Sequence, residues 1–208
     1  MPTVLNPYSL YVVSAIAGNL WQESTINPGI WESLTVGTWT DLNRGYGLGQ
    51  WTNTGGDTHG RLYKLHEWMT NNGYTIDDGD GQVAYIIAED YWIAKPEYPQ
   101  FNNLTDFLNS TSTDIATLTH AWNWCWEGIH DASWNDRVTY ANNCYTYIEQ
   151  HKDDTSITAW ITGNRFLSDS EKYNNAVMLY RCIGGVVPPT PPTSRKHKMP
   201  LWMMVRRR

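Results

Sequence analysis

The segment from Tyr8 to Glu23 constrains the fold most strongly, because it is long, apolar and patterned like a helix. Its apolar residues recur at helical spacing and predict one buried face, formed by Leu10, Val13, Ala17 and Leu20. Asn6-Pro7 offers an N-cap followed by a first-turn proline, and Asn27-Pro28-Gly29 ends the segment. Such a helix needs neighbours to cover its apolar face, so we expect a helical bundle around it.

Glu23 closes this segment three residues after Leu20, which projects its carboxyl onto or beside the buried face. Desolvation and the negative end of the helix dipole both disfavour a charged carboxylate at that place. A carboxylic acid that stays protonated near neutral pH is what a general acid requires. The alternative is a solvated glutamate in a fraying last turn, and the segments that follow Glu23 bear on that choice.

Five further helices are predicted downstream, and we find no internal repeat. Their approximate ranges are 60–71, 81–92, 114–126, 134–150 and 168–183. Ser133 with Asp136 approximates a capping box, and Ser168 with Glu171 forms a good one. Residues 29–59 have no helical period and are predicted to be an irregular insert with room for a short hairpin. The predicted fold is therefore mainly α, a bundle with one irregular insert.

The chain divides into four predicted parts. Residues 1–150 are expected to form one domain, and 151–183 a helical extension that either completes the bundle or docks the domain elsewhere. Residues 184–194 are a proline-rich, semi-rigid linker. Residues 195–208 form a basic tail around a short apolar centre, which suits an anionic membrane or wall surface, an acidic virion partner, or a disordered end.

Composition and charge limit the classes of ligand. The chain has 12 Trp and 13 Tyr but 3 Phe, and amphipathic rings suit sugars, although most of these rings are expected in the core. Six of the 15 basic residues lie in 188–208, which has no acid, so the rest of the chain carries nine basic against 21 acidic residues, a net −12. An acidic body argues against a nucleic-acid ligand, because phosphate contacts need a basic surface.

The cysteine and histidine patterns predict neither a metal nor a cofactor. Cys125, Cys144 and Cys182 contain no zinc spacing and no disulfide framework, and no HExxH motif is present. The N-terminus lacks a basic-then-apolar signal, and no apolar run is long enough to span a bilayer. We therefore expect synthesis in a cytoplasm, with another agent carrying or releasing the protein if it acts outside.

Two motifs flank the irregular insert. They are Glu23-Ser24-Thr25-Ile26-Asn27-Pro28 and Gly45-Tyr46-Gly47-Leu48-Gly49-Gln50-Trp51-Thr52. Three glycines in five positions of the second motif let the backbone approach a ligand closely. Tyr46 and Trp51 add rings and Gln50 adds an amide, while the spacing and lysine of a phosphate loop are missing.

Together the motifs resemble the lysozyme-like superfamily, and most closely the phage tail-type lysozyme domains, over roughly residues 6–150. In that group a helix delivers the catalytic acid in a Glu-Ser-x-x-Asn-Pro segment, and a Tyr-Gly-Leu-x-Gln segment lines the sugar cleft. Later segments that resemble the helical body of the family are Gly60-Arg61, Gln82-Val83, and Trp126-Glu127 followed by Arg137 and Ala141. The resemblance implies an α+β lysozyme-like fold. Glu127 and Arg137 are expected to pair and to brace two helices.

The resemblance also implies cleavage of the β-1,4 bond between N-acetylmuramic acid and N-acetylglucosamine in peptidoglycan, with Glu23 protonating the glycosidic oxygen. The substrate-binding residues that it implies are Tyr46, Gly47, Leu48, Gln50 and Trp51. The loop backbone and the Gln50 amide would hold N-acetyl or hydroxyl groups, with loop bracing as the competing role of Gln50. The rings of Tyr46 and Trp51 would form the cleft wall.

The second carboxylate is where the sequence departs from the family pattern. The family often places an Asp directly before the Tyr-Gly-Leu segment, and that position here is Gly45. Asp41 is the first candidate for a catalytic partner, followed by Asp57 and Glu32; a water held on the opposite face would give inversion at a carboxyl separation of about 6.5–9.5 Å. Without a base, the same scaffold acts as a lytic transglycosylase, in which a hydroxyl of the substrate attacks.

The predicted function is thus a phage-encoded peptidoglycan hydrolase, carried in the virion tail or released from the host cytoplasm as an endolysin with the help of a holin. The predicted partner is bacterial peptidoglycan, with other virion proteins as candidates for the tail of the chain. The alternative is a non-catalytic wall-binding or tail structural module that keeps the cleft.

Overall fold

The computed structural model describes residues 8–185, which fold mainly into helices. The seven α-helices are α1 (Leu10–Ser24), α2 (Arg61–Asn71), α3 (Gly79–Glu89), α4 (Leu104–Leu108), α5 (Ile115–Trp122), α6 (Trp134–His151) and α7 (Asp169–Gly185). Strand pairing within residues 8–185 is limited to isolated bridges, two of which join Tyr46 to Trp31 and to Trp51. The mainly α prediction is confirmed, while the irregular insert contains bridges rather than a regular hairpin.

The helix ends follow local capping chemistry. Ser9 is the N-cap of α1, and its Oγ accepts a hydrogen bond from the N–H of Tyr11 at 3.2 Å. The predicted cap Asn6-Pro7 lies outside the described residues. The capping box at Ser168 is formed on its glutamate side, since Glu171 Oε2 accepts from the N–H of Ser168 at 2.8 Å. The capping box predicted at Ser133 is wrong, because the Ser133 side chain makes no cap hydrogen bond.

Two helical segments differ from their predicted form. The predicted helix 114–126 divides into α5 and a π-helical turn, Asn123–Glu127, that ends at Gly128 with φ 77°. The short α4 was not predicted; Asn103 caps it by accepting from the N–H of Asp106 at 2.8 Å. Five residues are too few to show a helical period, so only the cap could have signalled this helix.

Helix α1 lies at the centre of the bundle, in contact with α5, α6 and α7. Every residue from Val12 to Trp21 is buried, so the helix is enclosed on all sides rather than on the one predicted face. A Cβ placed on Gly18 would lie 2.5 Å from the carbonyl oxygen of Arg137. Glycine therefore permits the close crossing of α1 and α6 that brings Arg137 toward the end of α1.

Helix α7 packs against α1, α3 and α6. Its buried apolar residues are Ala176, Val177, Leu179, Cys182 and Ile183. The extension thus completes the bundle, which was one of its two predicted roles; the domain boundary at 150 stays a prediction. α7 also takes in the first two residues of the predicted linker, and the remainder of that linker and the tail 195–208 lie outside the described residues.

The segment that leads into α7 holds the turn that follows α1. The Asn27 side chain donates from Nδ2 to the carbonyl oxygens of Gly163 and Arg165, both at 2.7 Å. Asn175 of α7 is fully buried and donates from Nδ2 to the carbonyl oxygen of Ile26 at 2.8 Å. The turn at the C-terminal end of α1 is therefore fixed by residues about 140 positions later in the sequence.

No helix within residues 8–185 combines the length and apolar character that crossing a bilayer requires.

Candidate active site

Glu23 lies in the last turn of α1, and its side chain is 20% exposed. The next residues turn sharply, because Thr25 and Ile26 both adopt left-handed backbone angles, φ 56° and φ 51°. The N–H of Ile26 donates back to the carbonyl oxygen of Leu20 at 3.1 Å. A β-branched residue in this conformation costs about 1–3 kcal/mol, and it persists here because the buried Asn175 holds the Ile26 carbonyl. The turn thus presents Glu23 at a fixed, strained helix end.

Arg137 of α6 is the direct partner of Glu23. Its Nη2 lies 2.5 Å from Glu23 Oε1 and 3.1 Å from an Asp131 carboxylate oxygen, and Arg137 is 1% exposed. Its Nη1 donates to Asn19 Oδ1 at 3.2 Å, and its Nε donates to Ser133 Oγ at 3.0 Å. The predicted pairing of Arg137 with Glu127 is wrong in its partner, because the ion pairs of the guanidinium go to Glu23 and Asp131.

Glu127 lies at the end of the π-helical turn, close enough to interact electrostatically with Glu23 and Arg137. The Nε1–H of Trp122 donates to its Oε1 at 3.3 Å. The pKa of Glu127 is raised well above its usual range, because burial and the negative charge of Glu23 both disfavour ionisation. Glu127 therefore belongs to the cluster of carboxyl groups around Glu23, and it does more than brace two helices.

A cavity of about 310 Å³ opens beside Glu23 and is lined by Glu23, Glu32, Gly45, Gln50 and Thr52. Glu32 belongs to a short turn, Glu32–Leu34, and is exposed. Its Oε2 accepts a hydrogen bond from the N–H of Gly45 at 2.9 Å, and its own N–H donates to the carbonyl oxygen of Gly45 at 2.9 Å. A carboxylate therefore lies beside position 45, on a residue 13 places earlier in the sequence.

Asp41, the first candidate from sequence, does not line this cavity. Its carboxylate accepts from the hydroxyl of Thr38 at 2.6 Å and from the N–H of Thr38 at 2.9 Å, and it lies 3.8 Å from Arg44 Nε. Hydrogen bonds from Thr38 and the charge of Arg44 lower its pKa. Asp57 likewise caps its own turn by accepting from the N–H of His59 at 2.9 Å. Both aspartates act as turn residues, so the geometry favours Glu32.

Three of the predicted substrate-binding side chains are in the core. Tyr46 is 3% exposed, Leu48 is fully buried and Trp51 is 1% exposed. The Tyr46 ring packs against Trp31, with ring centroids 4.8 Å apart, and Trp51 donates from Nε1 to Glu89 Oε2 at 3.3 Å. Buried rings offer no face to a sugar, so the cleft-wall role of Tyr46 and Trp51 stays a prediction that this geometry does not favour. The two rings support the loop from beneath.

Gly47 and Gln50 shape the loop that borders the cavity. Gly47 has φ 73°, and a Cβ there would lie 2.6 Å from the side chain of Gln82. Gln50 has φ 44° and donates from Nε2 to the carbonyl oxygen of Gly47 at 2.9 Å, which is its predicted bracing role. The Gln50 Oε1 takes no hydrogen bond from residues 8–185, and the residue lines the cavity, so its ligand-binding role stays a prediction.

The family comparison agrees with this geometry. The model of a family described as phage tail lysozyme matches residues 4–148, which is more than half of the chain. The chain belongs to the phage tail lysozyme family. The resemblance that the two motifs suggested is confirmed, and peptidoglycan is the substrate class that the family implies.

One curated relative of this phage tail lysozyme is morphogenesis protein 1 of Bacillus phage B103, which is 35% identical over 107 residues. The match covers 49% of the chain and 25% of that protein. The chain therefore spans about a quarter of the length of this relative.

Sequence reasoning on this phage tail lysozyme missed one buried amide that organises the site. Gln82 of α3 is fully buried and accepts from the N–H of Leu48 at 2.8 Å. Its Nε2 donates to the carbonyl oxygens of Pro28 and Ile76, both at 2.7 Å. One side chain thus joins both motifs to α3. The available signal was that Gln82 precedes the apolar Ile86 by one helical turn, since a polar group beside a buried face needs partners.

Proposed function

We propose that the chain cleaves the β-1,4 bond between N-acetylmuramic acid and N-acetylglucosamine, by hydrolysis. The observation that carries this proposal is the cavity that joins the carboxyl groups of Glu23 and Glu32 at the strained end of α1. Two carboxyl groups flanking a glycosidic bond are the usual machinery of glycoside hydrolysis. The open cavity lies directly beside both of them.

Glu23 is the proposed general acid. Its carboxyl forms an ion pair with Arg137, and general acid catalysis needs a proton at this carboxyl when the substrate binds. Arg137 brings one positive charge to a group of three carboxyls, Glu23, Glu127 and Asp131, and ionising all three would leave net negative charge in a partly buried site. The raised pKa makes Glu127 the member of this cluster that most readily keeps a proton.

Glu32 is the proposed second carboxylate, in place of Asp41. It is exposed and therefore in contact with water, and the N–H of Gly45 fixes one of its oxygens. A carboxylate so held is suited to activate a water or to stabilise the oxocarbenium-like transition state. Gln50 and Thr52 border the same cavity, and we propose that the Gln50 Oε1 accepts a hydrogen bond from an N-acetyl N–H of the substrate.

The test measures clearing of purified Gram-positive peptidoglycan by the wild type and by three variants. We expect Glu23→Gln to lower the rate at least about a hundredfold, and Glu32→Gln to lower it strongly. Asp41→Asn is the matched control, since it removes a nearby carboxylate outside the cavity, and it should retain most activity. A rate loss in Asp41→Asn equal to that in Glu32→Gln would restore Asp41 as the catalytic partner.

Mass spectrometry of the products separates the remaining reaction types. A reducing muramic end means hydrolysis, and a 1,6-anhydro end means that the scaffold works as a lytic transglycosylase. Cut peptides on intact glycan would overturn the proposal. A wild type that binds walls but clears none would favour the alternative, a non-catalytic wall-binding or tail structural module.

We further propose that the protein is phage-encoded and acts on the bacterial wall, either from the virion tail or after release from the host cytoplasm. The family description and the phage relative support this setting. Detection of the chain in purified particles by immunoblotting supports the tail, whereas its confinement to lysates of infected cells supports an endolysin.

A further inference from the structure

A second groove, of about 510 Å³, runs between α2 and α3 and is larger than the cavity beside Glu23. Its α3 side is formed by Tyr85 and Glu89, four residues apart on one helix face, with Tyr91 just beyond the helix. Glu89 also accepts the hydrogen bond from Trp51, so the Gly45–Thr52 loop contacts both sites. The groove therefore adjoins the proposed catalytic cavity through a shared, buried loop.

The α2 side of the groove is a continuous stripe of polar and aromatic side chains. Lys64, Glu67, Trp68 and Asn71 are spaced i, i+3, i+4 and i+7 and all line the groove. The opposite face of α2 is the buried one. Lys64, Glu67 and Asn71 are exposed, whereas Trp68 is half-buried and packs against the core. The exposed members of the stripe are therefore available to a ligand.

At the floor of the groove, the charges are already paired and the side chains are held by several contacts. Arg61 forms a two-pronged pair with Glu89, at 2.7 and 2.8 Å, and its guanidinium lies 4.1 Å from the centre of the Tyr91 ring and 4.7 Å from that of Trp126. The Trp68 and Tyr85 rings lie 5.6 Å apart along the wall. A ligand therefore meets a fixed surface of rings, which costs little ordering on binding.

The rim carries two unused charges of opposite sign. Lys64 and Glu67 are both exposed, and neither forms an ion pair or a side-chain hydrogen bond with residues 8–185. Asn71, one turn after Glu67, likewise has a side-chain amide that makes no hydrogen bond within residues 8–185. A neutral sugar has no charge to offer this pair, whereas a short peptide with a free amine and free carboxylates matches both signs.

We propose that this groove, hereafter the α2–α3 groove, binds the stem peptide of the wall polymer, a short peptide that carries both an amine and carboxylates. The inference rests on the proposed function, since it adds a peptide site to the sugar site. Lys64 would pair with a peptide carboxylate, Glu67 with an amine, and the amide of Asn71 with the peptide backbone. The methyl groups of the peptide would lie on the half-buried ring of Trp68, since Tyr85 is only 4% exposed.

The dimensions agree with a peptide of this size. The α2 side of the groove, from Arg61 to Asn71, spans about 15 Å at the rise of an α-helix. Four extended residues span about 13 Å, so one stem peptide fills the groove from end to end.

The test is an NMR titration of the full chain carrying Glu23→Gln, which prevents turnover. The ligand is the free stem tetrapeptide L-Ala-γ-D-Glu-L-Lys-D-Ala, and the readout is the Nε1–H signal of Trp68. We expect saturable shifts with this peptide, and a dissociation constant about tenfold larger after Lys64→Gln with Glu67→Gln, since two exposed charge pairs are lost. Glu149→Gln with Lys152→Gln is the matched control, because this exposed pair on α6 has the same spacing and opposite order.

Two outcomes would overturn the inference. The first is that tetra-N-acetylchitotetraose shifts the Trp68 signal while the peptide does not, which would make the groove a saccharide site. The second is that neither ligand shifts it at millimolar concentration. Because binding is measured without turnover, a wild type that binds the peptide but cleaves no wall would overturn the proposed function alone, and an active enzyme whose groove ignores the peptide would overturn this inference alone.

Discussion

At the scale of single residues, Arg137 fixes the geometry of the proposed catalytic carboxyls. One nearly inaccessible guanidinium reaches Glu23, Asp131, Asn19 and Ser133 at once. This is possible because the five N–H donors of the guanidinium lie in one plane and point in several directions. A lysine ammonium is a single point charge and cannot reach four partners in this way. The residue thus links α1 and α6 at the place where the acid is presented.

We expect Arg137→Lys to lower the free energy of unfolding by about 1–3 kcal/mol, because several buried hydrogen bonds lose their donor. Urea denaturation followed by tryptophan fluorescence measures this change. Arg165→Lys is the control, since Arg165 forms a similar two-pronged pair with Glu171 on the surface and should show no measurable change. Equal losses in both variants would show that the buried position of Arg137 is unimportant.

Glu127 makes a pH-dependent contribution to stability. Its pKa in the folded protein lies well above its ordinary value of 4.5, so the folded state binds a proton that the unfolded state releases. Stability must then fall as pH rises above about 4.5, because ionisation of Glu127 becomes a cost of folding. In Glu127→Gln this fall disappears, and the variant should gain stability relative to the wild type as pH increases. Urea midpoints across pH 4–8 measure the difference, with the exposed Glu149→Gln as control.

Residue-scale prediction from sequence succeeded where the information was local. The position of Glu23 follows from helical spacing and from the turn that comes directly after it. Arg137 lies 114 residues later, and no local sequence pattern predicts that its side chain reaches Glu23 of α1. Glu32 was only a third candidate because its bond to Gly45 depends on how the irregular insert folds back. The role of Asp41 stays a prediction that the geometry does not favour.

At the scale of elements, the turn after α1 depends on α7. Asn175 donates from one Nδ2 to the carbonyl oxygens of Ile26 and Ile161, and its Oδ1 accepts from the N–H of Ile161 at 2.8 Å. The strained turn that presents Glu23 is thus held from outside the family-matched region 4–148. Element ends were predictable from caps and periodicity, whereas this contact between distant elements was not.

We expect Asn175→Ala to lower the free energy of unfolding by about 2–4 kcal/mol, because one buried and two part-buried backbone groups lose their partner. It should also lower kcat on peptidoglycan more than it raises KM, since Glu23 loses its fixed position while the substrate surface remains. Urea denaturation and steady-state clearing rates measure the two effects. The exposed Asn143→Ala serves as control, and an Asn175→Ala variant with normal kcat would show that the turn holds itself.

At the scale of the whole molecule, α1 explains why the chain needs its C-terminal helix. A helix that is apolar on every side must be covered on every side, and α5, α6 and α7 each cover part of it. The helices could be predicted from the sequence, but the packing position of α7 could not. An apolar stripe shows which face of a helix is buried, but not which other helix covers it. The enclosed α1 and the buried stripe of α7 are two halves of one interface.

Truncation tests this dependence directly. A chain that ends at Gln150 lacks α7 and the segment that holds Asn27, so the surfaces of α1, α3 and α6 that α7 covers would meet water. We expect it to lose its near-UV circular dichroism, to bind a fluorescent apolar dye and to clear no peptidoglycan. A chain that ends at Gly185 keeps every contact described among residues 8–185, and it should unfold in urea with the midpoint of the full chain. If the chain ending at Gln150 unfolds with that same midpoint, α7 is an accessory element, and residues 8–150 hold the strained end of α1 without it.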